Sequence, residues 1–220
     1  MIDIAVIVEP RNHEYLKPVI DNIIRNINIE TPIMIFHSSI NEDFIKKNYN
    51  DYISNNKIIL SKLKQKNLSI NQYNILLTSI DFWNKINGEN VLIFQTDSCL
   101  CRHINTFDFT EYKNYGFIGA PSRQQLIPWQ NGGFSIRKKS LTLKALVGNK
   151  LSTCNEDKYY SIIKKHIMNP APYELANKFS VEQYYYDNPL GIHKAWNYLS
   201  KENWEELKRK FPEINLTFNF

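Results

Sequence analysis

Residues 91–98 read Val91-Leu92-Ile93-Phe94-Gln95-Thr96-Asp97-Ser98, four apolar residues followed by four polar ones. A short, uninterrupted apolar run is typical of a strand buried on both faces of a parallel sheet. Three further runs of this kind precede it, at residues 2–8, 33–36 and 57–60. Polar residues at the end of such a strand lie at the sheet edge where α/β proteins bind ligands. The stretch therefore predicts both a fold class and a place for a site.

Segments with helical periodicity separate these strands. Apolar residues from Leu16 to Ile27 recur at helical spacing, and so do those from Tyr73 to Trp83, after Ser69 as a helix cap. Alternating strands and helices predict an α/β fold with a mixed, mostly parallel central sheet and helices on both faces. The second half is less regular: we expect strands at residues 115–120 and 134–137, a turn at residues 131–133, and helices at residues 141–147, 156–166 and 200–210.

Composition is that of a globular protein of one domain. The chain has 220 residues, of which 43% are hydrophobic, and it shows no linker. No apolar run approaches the roughly 20 residues of a membrane span, and the first residues lack a basic signal-peptide region. The three cysteines, Cys99, Cys101 and Cys154, have neither zinc-site spacing nor an even number. We therefore expect no membrane span, no disulfide framework and a cytoplasmic location.

Net charge gives a weak hint of nucleic-acid binding. The chain has 27 Lys and Arg against 22 Asp and Glu, a formal charge of +5. Basic clusters occur at residues 62–66 and 208–210, but such clusters are usually solvated faces of helices or loops. Lysine also far outnumbers arginine, whose forked guanidinium is preferred for gripping phosphates. We expect no nucleic-acid partner.

Polar residues follow two of the predicted strands. Glu9 and Arg11 come after the first, and Gln95, Thr96 and Asp97 come after the fourth. A carboxylate held there can bind a divalent cation or a ribose hydroxyl, although an Asp followed by Ser also favours a simple turn. The chain lacks both GxGxxG and GxxxxGK[ST]. A bound nucleotide would therefore need a metal or basic side chains to neutralise its diphosphate.

Three further segments carry candidate side chains. Glu156 and Asp157 stand at a predicted helix start, where carboxylates either cap the helix or act as a general base. His193 can ligate Mn²⁺ or Zn²⁺ and Lys194 can contact a phosphate. The alternative is that His193 is a surface histidine beside a core Trp and has no functional role. Aromatic side chains at residues 184–186 and at Trp129 either stack on sugar rings or pack at the core.

A family resemblance joins these segments. The runs VLIFQTDSCLCR, FIGAP, NGGFSIRKKSL, NEDKYYS, FSVE and NPLGIHKAW resemble, in this order, the DUF5672 family. The opening IAVIVEPR and the later FHSS resemble its N-terminal part. That family resembles glycosyltransferases of the GT-A type. The resemblance implies a single GT-A-like domain over residues 1–220, with a nucleotide-binding half at 1–100 and an acceptor-binding half at 101–220.

The resemblance also implies a metal site. The segment QTDS stands in the place of the GT-A DxD motif and has Asp97 as its only acid, because Gln95 and Cys99 stand where a second acid is expected. His193 matches the C-terminal metal-binding histidine of many GT-A enzymes. The implied cofactor is Mn²⁺ or Mg²⁺, held by Asp97, His193 and the diphosphate of the donor.

Donor and catalytic roles follow from the same resemblance. Asp157 corresponds to the base of the xED motif in inverting members, with Glu156 as second choice. The residues expected to contact the nucleotide sugar are Glu9, Arg11, Gln95, Thr96, Asp97, Asn131, Gly132, Gly133 and Lys194.

The implied activity is a hexosyltransferase-like reaction. A sugar would pass from a nucleotide-diphosphate donor, a UDP-sugar, to a hydroxyl of a glycan, protein or lipid acceptor. Inversion is expected if Asp157 lies near the acceptor, and retention if it is remote. The alternative is a non-catalytic module that binds nucleotide sugars or glycans on the same fold.

Overall fold

A mostly parallel sheet forms the centre of the molecule. The computed structural model describes residues 2–122, 129–148 and 154–218. Within these residues the central sheet has six strands in the order β3-β2-β1-β4-β7-β6. The strands β1 to β4 are parallel, and β7 runs antiparallel to both β4 and β6. Their bounds are β1 Ile4–Val8, β2 Ile33–His37, β3 Ile58–Lys62, β4 Asn90–Phe94, β6 Phe117–Pro121 and β7 Gln130–Lys138.

A small second sheet completes the carboxyl edge of the first. It contains β5 Ser98–Leu100, β8 Ser180–Val181 and β9 Gly191–His193, in the order β5-β9-β8. Ser98 on β5 pairs with His193 on β9 in antiparallel register. Because β5 begins only four residues after β4 ends, this pairing brings His193 next to the end of β4.

Helices cover both faces of the central sheet. The helices are α1 Leu16–Asn26, α2 Glu42–Ser54, α3 Ile70–Leu77, α4 Ile80–Asn84, α5 Lys139–Leu146, α6 Glu156–Lys158, α7 Lys165–Met168, α8 Tyr173–Phe179, α9 Lys201–Lys210 and α10 Pro212–Thr217. A π-helical segment, Tyr159–Ile163, connects α6 to α7. Among residues 2–122, 129–148 and 154–218, no helix combines the length and apolar character needed to cross a bilayer.

Alternation along β1 divides the core into two. Ala5 and Ile7 belong to a cluster that includes α1 and the C-terminal helices. Ile4, Val6 and Val8 belong to a second cluster on the opposite face, with Trp83 of α4 and Tyr160 of the π-helical segment. Successive strand residues point to opposite faces, so a fully apolar strand needs helices on both sides. The predicted fold class is confirmed.

Several predicted elements differ in detail from the structure. The predicted helix from Tyr73 to Trp83 is two helices, α3 and α4. The Leu77 carbonyl, which an unbroken helix would use internally, accepts hydrogen bonds from Trp83 Nε1 and the Tyr160 hydroxyl, each at 2.7 Å. Ser69 does cap α3, in a reciprocal capping box with Gln72. The predicted helix at residues 156–166 consists of α6, the π-helical segment and the start of α7.

The turn predicted at residues 131–133 was wrong, because these residues lie within β7. Pairing with β6 is irregular there, with the register changing between Gly119–Ser135 and Pro121–Gln130. The two glycines therefore do not reverse the chain. Their missing side chains make room for neighbouring side chains of the cavity described below.

Candidate functional site

A cavity of about 510 Å³ opens at the carboxyl ends of β1 and β4. Its volume lies in the range of sites that bind small molecules, about 300–1,000 Å³. The structure brings all the sequence-predicted site residues to its wall: Glu9, Arg11, Gln95, Thr96, Asp97, Asn131, Gly132, Gly133, Glu156, Asp157, His193 and Lys194. A further part of the wall, for which no role in the site was predicted, is formed by the start of α3 and the residues before it, Asn67, Leu68, Ser69, Ile70, Tyr73 and Asn74.

Asp97, Gln95 and His193 converge at one end of the cavity. Asp97 Oδ1 lies 3.1 Å from His193 Nε2, and Gln95 Oε1 lies 3.3 Å from the same nitrogen. Lys194 Nζ lies 3.3 Å from Asp97 Oδ2. The turn after β4 is held by Ser98, whose hydroxyl donates to the Gln95 carbonyl. These side chains come from distant parts of the chain and are joined by the pairing of β5 with β9.

Glu182 lies on the other side of the His193 ring. Its Oε1 is 3.4 Å from His193 Nδ1 and accepts a hydrogen bond from Asn131 Nδ2 at 3.3 Å. Glu182 follows β8 and is buried. No role was predicted for it, although an acid directly after the apolar Phe179 and Val181 is a detectable signal of an inward-facing carboxylate.

The charges around His193 shift its proton affinity and that of Asp97. Burial alone would lower the pKa of His193, but the carboxylates of Asp97 and Glu182 raise it to about 9. Burial would likewise raise the pKa of Asp97, and the neighbouring His193 and Lys194 instead hold it well below its usual range. The cluster therefore alternates in sign, with a cationic ring between two carboxylates.

These side chains fit a divalent cation shared with a ligand. A carboxylate oxygen, an amide oxygen and a neutral imidazole nitrogen are suitable donors for such an ion, which would take the place of the proton on His193 Nε2. Asp97 Oδ1 is buried and is directed at His193 Nε2. No group of three or more His, Cys, Asp or Glu side chains suited to a metal occurs in the described ranges. The remaining ligands would have to come from the bound molecule.

Cys99, expected where a second acid might stand, does not line this cavity. Its Sγ faces the opposite direction, 3.5 Å from Thr217 Oγ1 and 3.7 Å from the Glu213 carbonyl oxygen, beneath α10. Of the two candidate positions, Gln95 is the one that lies in the site. Cys99 and Cys101 are free thiols.

The glycines of β7 let these side chains assemble. A Cβ on Gly133 would lie 2.6 Å from His193 Cδ2 and 2.7 Å from Cε1, inside van der Waals contact. A Cβ on Gly132 would lie 2.5 Å from both Arg137 Nη2 and Glu156 Oε1. Only glycine fits at these two positions, because any Cβ would collide with a neighbouring side chain. The space beside each glycine is filled by side chains of the protein.

Gly133→Ala is expected to displace the His193 ring. The added methyl group must push the imidazole or β9 aside, and overpacking of this kind destabilises by about 1–3 kcal/mol. Loss of alignment of a ligating histidine should weaken cation-dependent ligand binding about 10–100-fold. Urea unfolding and calorimetric titration check the two effects. An unchanged midpoint together with unchanged binding would contradict the packing described here.

Asp157 also lines the cavity and lies at the start of α6. It is 8% exposed, and its Oδ1 accepts a hydrogen bond from the Lys158 backbone N–H at 2.7 Å. Burial, together with the charge of Glu156, raises the pKa of Asp157 to about 7. Asn74 of α3 accepts the Glu156 backbone N–H at 3.1 Å and so caps this helix start. Asp157 is therefore a carboxylate that can exchange a proton near neutral pH.

Glu156, next to it, is engaged by a buried arginine. Arg137 of β7 donates to Glu156 through Nη1 to Oε2 at 2.5 Å and through Nη2 to Oε1 at 3.0 Å. Sequence reasoning assigned Arg137 no role. A charged residue that alternates with Phe134 and Ile136 along a buried strand was the available signal, since such a residue must point into one of the two cores.

The loop after β1 forms a third part of the wall. Glu9 is buried and accepts two hydrogen bonds from the Arg11 side chain. Arg11 Nε donates to Oε1 at 2.9 Å and Nη2 donates to Oε2 at 2.7 Å. Asn41 donates to the carbonyls of Glu9 and Arg11 at 2.7 and 2.9 Å. The loop is thus fixed in place, with the Arg11 side chain half-exposed at the cavity rim.

The aromatic residues and basic clusters lie elsewhere. Tyr185 and Tyr186 pack against a hydrophobic core, and Tyr184 contacts Tyr173 edge to face at 5.2 Å. In the basic clusters, Lys62 pairs with Glu42, Lys208 with Glu205 and Lys210 with Glu206, as in ordinary solvated faces.

The fold is similar to that of solved GT-A-type glycosyltransferases. The apo form of the glycosyltransferase GlyE of Streptococcus pneumoniae aligns with a TM-score of 0.57 at 11% identity, covering 94% of this chain and 60% of GlyE. An active-site mutant of LgtC aligns with a TM-score of 0.57 at 10% identity, covering 98% of this chain and all of that chain. At such identities the similarity shows the fold alone.

A third neighbour carries ligands. The mannosyltransferase PcManGT of Pyrobaculum calidifontis, solved with GDP-Man and Mn²⁺, aligns with a TM-score of 0.51 at 15% identity, covering 70% of this chain and 49% of the enzyme. The chain thus spans about half to three-fifths of the length of PcManGT and GlyE.

Sequence comparison gives the family. No curated protein matches the chain. Residues 57–193, more than half of the chain, match DUF5672, described as a protein family of unknown function. This range includes Asp97, Arg137, Asp157 and His193. The chain therefore belongs to the DUF5672 family.

Proposed function

We propose that this chain is a glycosyltransferase that moves a sugar from a nucleotide-diphosphate donor, a UDP-sugar, to a hydroxyl of a glycan, protein or lipid acceptor, with inversion. One observation carries the proposal: Asp97 and His193, which could hold a divalent cation, line the same cavity as the carboxylate of Asp157, with a pKa of about 7. The GT-A-type fold of the structural neighbours supports it.

The donor would lie across the carboxyl ends of β1 and β4. Glu9 and Arg11 mark the place of the base and ribose, and Thr96 and Lys194 lie beside the proposed diphosphate position. Asp97, His193 and the Gln95 amide would hold Mn²⁺ or Mg²⁺, as suggested by the Mn²⁺ bound in PcManGT. When bound, a divalent cation stabilises the negative charge that develops on a leaving diphosphate. Because Asp97 and His193 come from residues 1–100 and 101–220 respectively, we treat the two halves as one catalytic domain.

Asp157 would act as the general base. In the proposed step the acceptor oxygen attacks the anomeric carbon, the bond from that carbon to the phosphate oxygen breaks, and the hydroxyl proton passes to Asp157. The nucleoside diphosphate leaves with the electron pair. Glu156 is the weaker candidate for this role because both of its oxygens accept hydrogen bonds from Arg137.

Activity is expected to fall as the pH drops below about 7. A base acts only when deprotonated, and the pKa of Asp157 is raised to about 7 by burial and by the charge of Glu156. Below this pH the proton stays on the carboxyl group, so the turnover should fall about tenfold for each further pH unit. The measurement is turnover against pH at saturating donor. A rate that stays constant down to pH 5 would exclude Asp157 as the base.

A thermal-shift panel tests the proposed function. The chain is heated with UDP, GDP and their sugar conjugates, each with and without Mn²⁺, because a ligand that binds only the folded state raises the apparent Tm. We expect a cation-dependent rise with at least one nucleotide. Failure of every nucleotide to raise Tm would contradict the proposal. Binding without any turnover would favour the non-catalytic module instead.

A further inference from the structure

We propose that Arg137 is a positioning residue for Asp157: its guanidinium, buried beneath Gly132, grips Glu156 by two hydrogen bonds and so fixes both the place and the local charge of the neighbouring carboxylate. This inference rests on the proposed function, in which Asp157 is the base. Arg137 itself does not line the cavity.

The guanidinium of Arg137 is held by hydrogen bonds and by two aromatic rings. Arg137 is fully buried. Besides its fork on Glu156, Nε donates to Ser135 Oγ and Nη2 to the Gly132 carbonyl, each at 3.1 Å. The aromatic rings of Phe117 and Tyr160 lie 5.0 and 5.5 Å from its central carbon. A cation so fixed leaves Glu156, and with it the start of α6, little freedom to move.

Three side chains meet at the space left by Gly132. A Cβ there would lie 2.5 Å from Arg137 Nη2, 2.5 Å from Glu156 Oε1 and 3.2 Å from Asp157 Cβ. The guanidinium and the Asp157 side chain are therefore close neighbours across one missing methyl group. Charges at such short range act strongly on each other in a buried site.

The charges acting on Asp157 oppose one another. Burial and Glu156 raise its pKa, whereas the Lys158 backbone N–H and the charges of Arg137 and Lys158 lower it. Tyr73 of α3 lies near the same pair, and burial together with the charge of Glu156 raises the pKa of its hydroxyl. Glu156 and Lys158 belong to the same helix as Asp157. Arg137, on β7, is the cation from a different element that acts on the pKa of Asp157.

Charge-altering variants separate this role from simple packing. The readout is the pKa of the Asp157 carboxyl, measured by carbon-13 NMR of labelled aspartate and assigned by its loss in Asp157→Asn. Glu156→Gln removes the neighbouring anion but keeps Arg137, so the pKa should fall by about one pH unit. Adding Arg137→Met to Glu156→Gln then removes the cation, and the pKa should rise again.

The comparison of these two variants avoids a folding problem. Arg137→Met alone would leave the buried Glu156 carboxylate without its cation. Glu156→Gln keeps an amide oxygen that accepts a hydrogen bond from the Arg137 guanidinium, and the double variant replaces the ion pair by two neutral side chains, which proteins often tolerate. If the double variant has the same Asp157 pKa as Glu156→Gln, Arg137 does not act on Asp157 and the proposal is overturned.

Turnover gives a second, separate readout. Arg137→Lys keeps the charge but loses the fork, so kcat should fall with the KM for the donor unchanged; equal wild-type kcat would overturn the positioning role. The NMR measurement needs no substrate. If the wild-type chain shows no transfer, the proposed function fails while the carboxyl pKa values still decide the role of Arg137.

Discussion

Asp157→Asn is expected to lower transfer by about 10²–10⁴-fold while leaving donor binding unchanged. The substitution keeps the size of the side chain and one acceptor oxygen, and it removes the negative charge and with it the ability to accept a proton. Donor binding should persist because Asp157 is not among the residues proposed to hold the cation or the donor. Turnover and calorimetric titration with UDP measure the two quantities.

A matched control for this variant is Asp81→Asn. Asp81 is an exposed aspartate in the first turn of α4, away from the cavity. The Asp81→Asn variant should retain wild-type turnover. A loss of turnover in Asp157→Asn alone then cannot come from a general effect of removing one negative charge. Near wild-type turnover in Asp157→Asn would remove the base from the mechanism.

Asp97→Ala is expected to abolish the cation-dependent part of donor binding. Asp97 is the acid whose buried Oδ1 lies 3.1 Å from His193 Nε2. Removing a partner of a metal ligand costs about 10–100-fold in metal affinity, so loss of a ligand should cost at least about 100-fold. Titration of UDP into the protein with and without Mn²⁺ measures the difference.

The control for the cation site is an exposed carboxylate. Asp187→Asn changes the same charge outside the cavity and should leave the Mn²⁺ dependence intact. If Asp97→Ala binds UDP and Mn²⁺ as tightly as the wild-type chain does, Asp97 is not a ligand. The proposed place of the diphosphate would then be wrong.

The central sheet could be predicted because its strands are continuous apolar runs. Strands buried on both faces contain few polar residues, so β1, β2 and β4 stand out in the sequence. The helix α2 was missed because it buries only Ile45 and Tyr49. Two buried residues give no recognisable stripe, and packing against the sheet, not the pattern, stabilises this helix.

The candidate site was only partly predictable. Polar residues after β1 and β4 marked the correct edge of the sheet, because strand ends in α/β folds meet there. His193 lies 96 positions after Asp97 in the chain, and only the pairing of β5 with β9 joins them. Such short strands have no periodic pattern, so their pairing cannot be derived from the sequence. The prediction that Asp97 and His193 share a site came from the family resemblance.

Two buried charges in or beside strands were not predicted. Arg137 and Glu182 each lie in or beside a strand, and both were passed over because strand patterns are judged by their apolar residues. Their partners, Glu156 and His193, lie 19 and 11 positions further along the chain and outside the same strand, so the compensation that makes a buried charge tolerable is visible only in three dimensions.

The central claim is that this cavity transfers a sugar with inversion. The most direct measurement follows UDP release from UDP-sugars in the presence of Mn²⁺ and an acceptor, together with the anomeric configuration of the product by proton NMR. We predict UDP release by the wild-type chain, its loss in Asp157→Asn, and a product of opposite configuration to the donor. Undiminished release by Asp157→Asn, or a product with retained configuration, would contradict the claim.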